Sequence, residues 1–234
     1  MLSNALYIST TASDERLAVF CAEYDWRLHA LPMISFQQIS FVAPESEEYD
    51  WIFFTSKRSV DFFMSLELPE KIKKMAVIGK STARALEEWG FEAAFVGERS
   101  GDPDHVAEAF LANIKPQEKV LFPQSSISNR SIQRRLAEEQ CLNVVVYETF
   151  TMPRKIPGLP KVLVFSSPSN VRGFLQMNQI SPLQTVIAWG KTTAYFLKQS
   201  NVRVDYVLEE SSYDALLPVL KEIAEIKTSD YAND

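Results

Sequence analysis

"VIGKSTARAL" (residues 77–86) and "IAWGKTTAYFL" (residues 187–197) carry one phrase, Gly-Lys-(Ser/Thr)-Thr-Ala, at Gly79 and Gly190. The 234-residue chain holds only 7 glycines, so two of them in one phrase mark an internal repeat with an offset of 111 (79 to 190). Upstream, "WIFFTSKRSVDFF" (51–63) aligns without a gap on "VLVFSSPSNVRGF" (162–174), setting Phe54 on Phe165, Ser56 on Ser167, Val60 on Val171 and Phe63 on Phe174. Downstream, Ala83 and Leu86 fall on Ala194 and Leu197, and "FEAAFV" (91–96) on "VRVDYV" (202–207). A whole structural unit is duplicated.

Each copy reads as strand, helix, strand, helix, strand. Short apolar runs ("WIFF", "MAVIG", "AAFV"; "VLVFS", "TVIAW", "VDYV") suit strands buried on both faces. Between them Val60, Phe63 and Met64, then Ala83 and Leu86, recur at helical spacing, as do Val171, Phe174 and Leu175, then Ala194 and Leu197. Alternating strands and helices predict an α/β fold with parallel sheets. A weaker match pairs "LYIST…LHALPMISF" (6–36) with "VLFPQ…LNVVVYETF" (120–150) at an offset of 114 (36 to 150). It reads as strand, helix, strand in both places, with Leu17, Phe20, Cys21 and Tyr24 on one stripe and Ile132 and Leu136 on the other. Each domain should own one short and one long unit, hence about five parallel strands.

The units alternate short, long, short, long, punctuated by "FVAPESEEYD" (41–50) and "TMPRKIPGLPK" (151–161). Two consecutive domains cut near residue 115 satisfy this order. So does a discontinuous domain of residues 1–36 and 152–234 with a continuous domain, 37–151, inserted in it. The residue pattern permits either.

A net charge of −6 argues against a nucleic-acid partner, because phosphate contacts need an excess of Lys and Arg on one face. No apolar run reaches the roughly 20 residues of a bilayer span, so no membrane partner is expected. The N-terminal "MLSNALYIST" has no basic region before an apolar one, which suggests a cytoplasmic chain. Cys21 and Cys141 lack ligand-spaced partners and read as buried thiols in a reducing compartment.

In an open α/β sheet, ligands bind beyond the carboxyl ends of the strands, and Gly79 and Gly190 stand where strand gives way to helix. The glycine would allow a tight turn; Ser81 or Thr82, and Thr192 or Thr193, would serve as N-caps. "TSKRS" (55–59) and "SSPSN" (166–170) place Ser56 and Ser167 at similar turns. One hydroxyl at one helix start is ordinarily a cap. Four such starts in two related copies point further, to a ligand with several anionic groups, since a helix N-terminus attracts carboxylate or phosphate. Other motifs fail. "GKST" is no P-loop, because Lys74 stands where the first glycine belongs, and "ISTTASDE" (8–15) lacks the glycine of a flavin phosphate loop. His29 and His105 have no ligand at metal spacing and compose no catalytic triad, so no metal or organic cofactor is expected.

The set "FFTSKRSVDFF", "AVIGKSTARALEEWGFEAAFV", "VLFP…L…VVVYET", "VFSSPSNVRGF" and "IAWGKTTAYFL", in this order, resembles the uroporphyrinogen-III synthase family from about residue 50 onward. The resemblance implies the interleaved arrangement: two flavodoxin-like domains, the second inserted in the first, joined by a two-stranded linker around "ISFQQI" and "YETFTM". It implies a lyase that cyclises the linear tetrapyrrole hydroxymethylbilane in the cleft between its domains, as a monomer without cofactor. Water is lost and the last pyrrole ring is inverted. The eight carboxylates of that substrate fit the helix starts. Tyr147, before Thr149, matches the family's Tyr-x-Thr phrase and is the implied proton donor for departure of the hydroxyl. Ser56, Thr82, Ser167 and Thr193 match family positions and are implied carboxylate binders; Ser81 and Thr192 join them from the helix-start reading, and Lys57, Arg58, Lys80 and Lys191 would add positive charge. The chain departs from the family at "KQSNVRVD" (198–205), which lacks the usual glycine before the last strand. The rival expectation is a non-enzymatic cytoplasmic module of two domains closing on a small anion.

Overall fold

The computed structural model describes residues 2–10, 14–42, 44–65 and 73–230; the centre of the "ISTTASDE" stretch, 11–13, lies outside the described residues. In chain order come β1 (Ser3–Ile8), α1 (Glu15–Glu23), β2 (Arg27–Ala30), β3 (Ile34–Gln38), β4 (Trp51–Phe54), α2 (Lys57–Met64), β5 (Lys74–Val77), α3 (Lys80–Glu88) and β6 (Phe95–Val96). Then follow α4 (Pro103–Leu111), β7 (Val120–Ser125), β8 (Cys141–Thr151), β9 (Pro160–Phe165), α5 (Pro168–Met177), β10 (Thr185–Ala188), α6 (Lys191–Gln199), β11 (Tyr206–Val207) and α7 (Tyr213–Asp230). The chain divides into two compact units, residues 1–35 with 151–234 (unit 1) and residues 36–150 (unit 2).

Unit 1 holds a parallel sheet in the order β2-β1-β9-β10-β11. The second sheet runs β3-β8-β7-β4-β5-β6 and is parallel from β8 to β6. Setting β3 aside and counting the short unit before the long one, both sheets have the strand order second-first-third-fourth-fifth. In unit 2 the long unit simply comes earlier in the chain. β3 lies outside β8 and runs against it: Met152 N donates to Met33 O at 2.7 Å, and Ile39 N to Val146 O at 3.3 Å.

The continuous apolar strands are covered on both faces, as their sequences require. In unit 1, Leu6, Ile8, Val162, Val164 and Ile187 pack under α1 and α7, while Tyr7, Leu163, Phe165, Val186 and Ala188 pack under α5 and α6. In unit 2, Ile52, Phe54, Met75, Val77 and Leu121 meet α2 and α3; Trp51, Phe53, Ala76, Val120 and Phe122 meet α4. Successive residues alternate between the clusters because successive side chains leave opposite faces of a strand.

Two sequence expectations change. The helix expected around Ile132 and Leu136 is replaced by two 3-10 turns, Gln133–Arg135 and Glu138–Gln140, although both residues are still buried against Phe122 and Val120. The Ser- and Asn-rich "SSISNRS" before it offers side-chain partners that compete with helical bonding, and Arg130 takes a left-handed φ of 51° that interrupts any helix. Each long unit is also followed by one more helix, α4 or α7, which the strand-helix reading left out. The missing glycine of "KQSNVRVD" is accounted for: Asn201 adopts φ 57° after α6, as Gly90, its counterpart at the 111 offset, adopts φ 83° after α3. Asparagine is the side chain that best tolerates this conformation. No helix among the described residues is long and apolar enough to cross a membrane.

Candidate active site

β4 ends at Phe54, and Ser56 caps α2 from an extended backbone. Its hydroxyl accepts from Ser59 N at 3.1 Å, its own N–H donates to Ser59 Oγ at 3.2 Å, and the Ser59 hydroxyl donates to Ser56 O at 2.7 Å. The first turn of α2 is thereby fixed by two short side chains. Ser56 Oγ also lies 3.4 Å from the Tyr147 hydroxyl, so these two predicted site residues are brought together.

Tyr147 reaches that place through a β-bulge. The β7–β8 register pairs Gln124 with Val145 but Ser125 with Tyr147, leaving Val146 as an extra residue. Strict alternation would put Val146 and Tyr147 on opposite faces; with the bulge both are buried in the same cluster under α2. A bond of 2.8 Å between the Ser125 and Thr149 hydroxyls ties the strands just beyond. The Tyr147 ring is 7% exposed and sits between Phe62 (5.1 Å between centroids) and Phe36 (5.8 Å). Burial pushes its phenol above the ordinary range, opposed by the Ser56 hydrogen bond and the Arg58 charge.

On the neighbouring strand, β5 leads into α3 through Gly79, which is the N-cap and offers no side chain. Ser81 and Thr82 are therefore not caps, as the sequence suggested, but members of the first turn. The reason for glycine also differs: φ is 177°, open to any residue, whereas an added Cβ would meet Ser100 Cβ at 2.6 Å. Close approach of the 97–100 segment excludes a side chain there. Lys80 is exposed, Ser81 half-buried and Thr82 only 2% exposed. Thr82 N donates to Gly79 O at 3.0 Å, and no side chain caps the start of α3. Such an uncapped helix start is a ready anion site.

Unit 1 repeats the plan with different chemistry. Ser167 caps α5 with Pro168 behind it, and its hydroxyl accepts from Asn170 N at 3.3 Å. Asn170 Nδ2 donates to Ser166 and Ser167 Oγ, both at 3.1 Å, while its Oδ1 accepts from Met33 N at 2.8 Å. Ser9, at the end of β1, accepts from Ser166 N at 2.8 Å and receives the Ser166 hydroxyl on its carbonyl. Gly190 (φ 175°) starts α6 without a side-chain cap, followed by exposed Lys191, half-buried Thr192 and Thr193, which is 4% exposed. Thr192 and Thr193, like Ser81 and Thr82, stand inside the first turn rather than at the cap.

Ser9, Ser59 and Asn170 were not singled out in the sequence. A signal existed for two of them: Ser56-x-x-Ser59 and Ser167-x-x-Asn170 have capping-box spacing and match at the 111 offset. No cluster of three or more His, Cys, Asp or Glu among the described residues could hold a metal ion.

The fold and these edges define a two-unit parallel α/β protein with hydroxyl-lined helix starts at the carboxyl ends of both sheets. The family profile described as uroporphyrinogen-III synthase HemD matches residues 15–218, and the chain belongs to that family. It is 27% identical over 215 residues to a porphyrin biosynthesis protein HemD of Ruminiclostridium josui, an alignment covering 84% of this chain and 42% of that longer protein. It is 27% identical over 190 residues to a uroporphyrinogen-III synthase of Chlorobaculum parvum, covering 71% of this chain and 76% of the relative. Among solved structures, uroporphyrinogen-III synthetase from Helicobacter pylori 26695 superposes with a TM-score of 0.64 at 18% identity, over 94% of this chain and 100% of that one. A mutant uroporphyrinogen III synthase from the extremely thermophilic bacterium Thermus thermophilus gives 0.61 at 17%, over 96% and 100%. At such identity the likeness concerns the fold.

Proposed function

We propose that the chain is a uroporphyrinogen-III synthase, closing hydroxymethylbilane to uroporphyrinogen III with loss of water and inversion of the last pyrrole ring. The family match over residues 15–218 carries this reading. The rival reading, a non-enzymatic anion-binding module, gains no support from that match. We take the two units as flavodoxin-like domains, 1–36 with 152–234 and 37–151. The shared second-first-third-fourth-fifth strand order supports this. So do the unit boundaries at 35/36 and 150/151, which fall in β3 and at the end of β8, the two strands of the proposed linker.

The chemistry follows from the two edges. The bilane closes readily on its own to the wrong isomer, so the enzyme acts mainly by holding the reacting ends in one conformation. Ser56, Ser167 and the first turns Lys80–Thr82 and Lys191–Thr193 are assigned to the carboxylates, where N–H groups and hydroxyls accept negative charge without a buried cation. Tyr147 is assigned to protonating the departing hydroxyl. The reading requires no cofactor and places the protein in the cytoplasm as a monomer. Supplied with fresh hydroxymethylbilane, the purified protein should yield isomer III in a chromatographic isomer analysis. Accumulation of isomer I alone, at the uncatalysed rate, would overturn it.

A further inference from the structure

The two edges share a plan but differ at several aligned positions, and two of the differences bear on Tyr147. At the 111 offset Arg58 corresponds to Ser169 and Phe62 to Gly173. These two unit 2 residues lie around Tyr147. Phe62 packs on the phenol ring, and Arg58 Cζ stands 4.7 Å over the ring of Phe36, which meets Tyr147 edge-on. A guanidinium is held over an aromatic face by the ring's quadrupole, so Arg58 has a defined seat despite its exposure.

Resting on the reading of Tyr147 as proton donor, we propose that Arg58 is a positioning residue for it: seated on Phe36, its fixed charge stabilises the phenolate that remains when the proton has gone. In that step the phenol O–H bond breaks and the proton bonds to the hydroxyl oxygen of the bilane. The carbon–oxygen bond breaks with its electron pair on oxygen, and water leaves. The electron-rich pyrrole holds the positive charge at its methylene carbon, and the negative charge stays on the Tyr147 oxygen.

A buried oxyanion is costly unless hydrogen-bonded or compensated. Charged groups stand on some of the elements that share the cluster of Tyr147, with Lys80, Arg84, Glu87 and Glu88 on α3. β3 and β7 carry no charged residue. β8 carries Glu148, and α2 carries Lys57, Arg58 and Asp61. Of these, Arg58 is the one whose charge acts on the phenol, alongside the Ser56 hydrogen bond, both against the effect of burial. Arg58 thus supplies the charge and Ser56 the hydrogen bond.

The test uses the full chain with its 8 tyrosines replaced by 3,5-difluorotyrosine, whose phenol ionises near neutral pH, followed by fluorine NMR. The Tyr147 signal is assigned by its loss in Tyr147→Phe. Arg58→Gln and Arg58→Met should each raise its titration midpoint by about half a pH unit or more, Arg58→Lys should recover most of the shift, and Lys57→Gln should leave it in place. Formation of isomer III should fall about tenfold in Arg58→Gln and recover in Arg58→Lys. A midpoint that stays put when Arg58 loses its charge, or moves equally with Lys57→Gln, overturns the proposal. The reading of Tyr147 fails separately, if Tyr147→Phe makes isomer III at the wild-type rate.

Discussion

Tyr147 shows how much chemistry one side chain draws from its surroundings. Its hydroxyl has a partner in Ser56, its ring is packed by Phe36 and Phe62, and its backbone sits on the irregular step of β8. Tyr147→Phe keeps the ring contacts and leaves Ser56 bonded to Ser59. The fold should therefore be retained, by circular dichroism, while the rate of isomer III formation falls about 100-fold, the usual size of a general-acid contribution. Glu118 is expected to contribute to stability in acid. The Glu118 carboxylate accepts from Lys115 N at 3.0 Å, Lys74 Nζ at 2.9 Å and Trp51 Nε1 at 3.1 Å. Led by the Lys115 N–H, these bonds hold its pKa down from 4.5 to about 2. Because the folded value is the lower one, the stabilisation is complete above the ordinary value and is lost as pH falls toward the folded one. Glu118→Gln should cost about 1–3 kcal/mol at neutral pH. In urea titrations its deficit against wild type should shrink between pH 4.5 and about 2.

At the scale of elements, α5 depends on Gly173. A Cβ there would stand 2.5 Å from the Met33 carbonyl oxygen and 2.8 Å from Met33 Cβ, and backbone cannot yield as a side chain can. Gly173→Ala should lower the urea midpoint, at a cost of about 1–3 kcal/mol for the forced shift of α5. The elements also show what the sequence could and could not say. The strands were legible because Trp51–Phe54 and Pro160–Phe165 are apolar on both faces and repeat at one offset. The Ile132–Leu136 spacing misled because both residues are buried, as a helix would bury them, while the backbone between them takes a 3-10 turn. The bulge left no residue-level sign: Val144, Val145 and Val146 read as an ordinary run, and only pairing with β7 shows which of them is supernumerary. The Gly-Lys phrase is legible in the sequence but the reason for Gly79 is not, since the Ser100 contact that demands it comes from beyond α3 and β6, outside the reach of any local pattern.

For the molecule as a whole, each of the four core clusters is confined to one unit. Unit 2 is also continuous in sequence, so a fragment of residues 36–150 should fold alone with a single cooperative urea transition. A fragment with molten, gradual unfolding would show that its two clusters do not suffice. The pairing of short with long units was undecided in the residue pattern because it rests on strand contacts such as β1 with β9, more than a hundred residues apart, which periodicity does not encode. That pairing brings both ends of the chain into the same unit. A passenger domain fused to either terminus would therefore hang from unit 1, and its chain would join the segment that carries Tyr147 only by way of that unit.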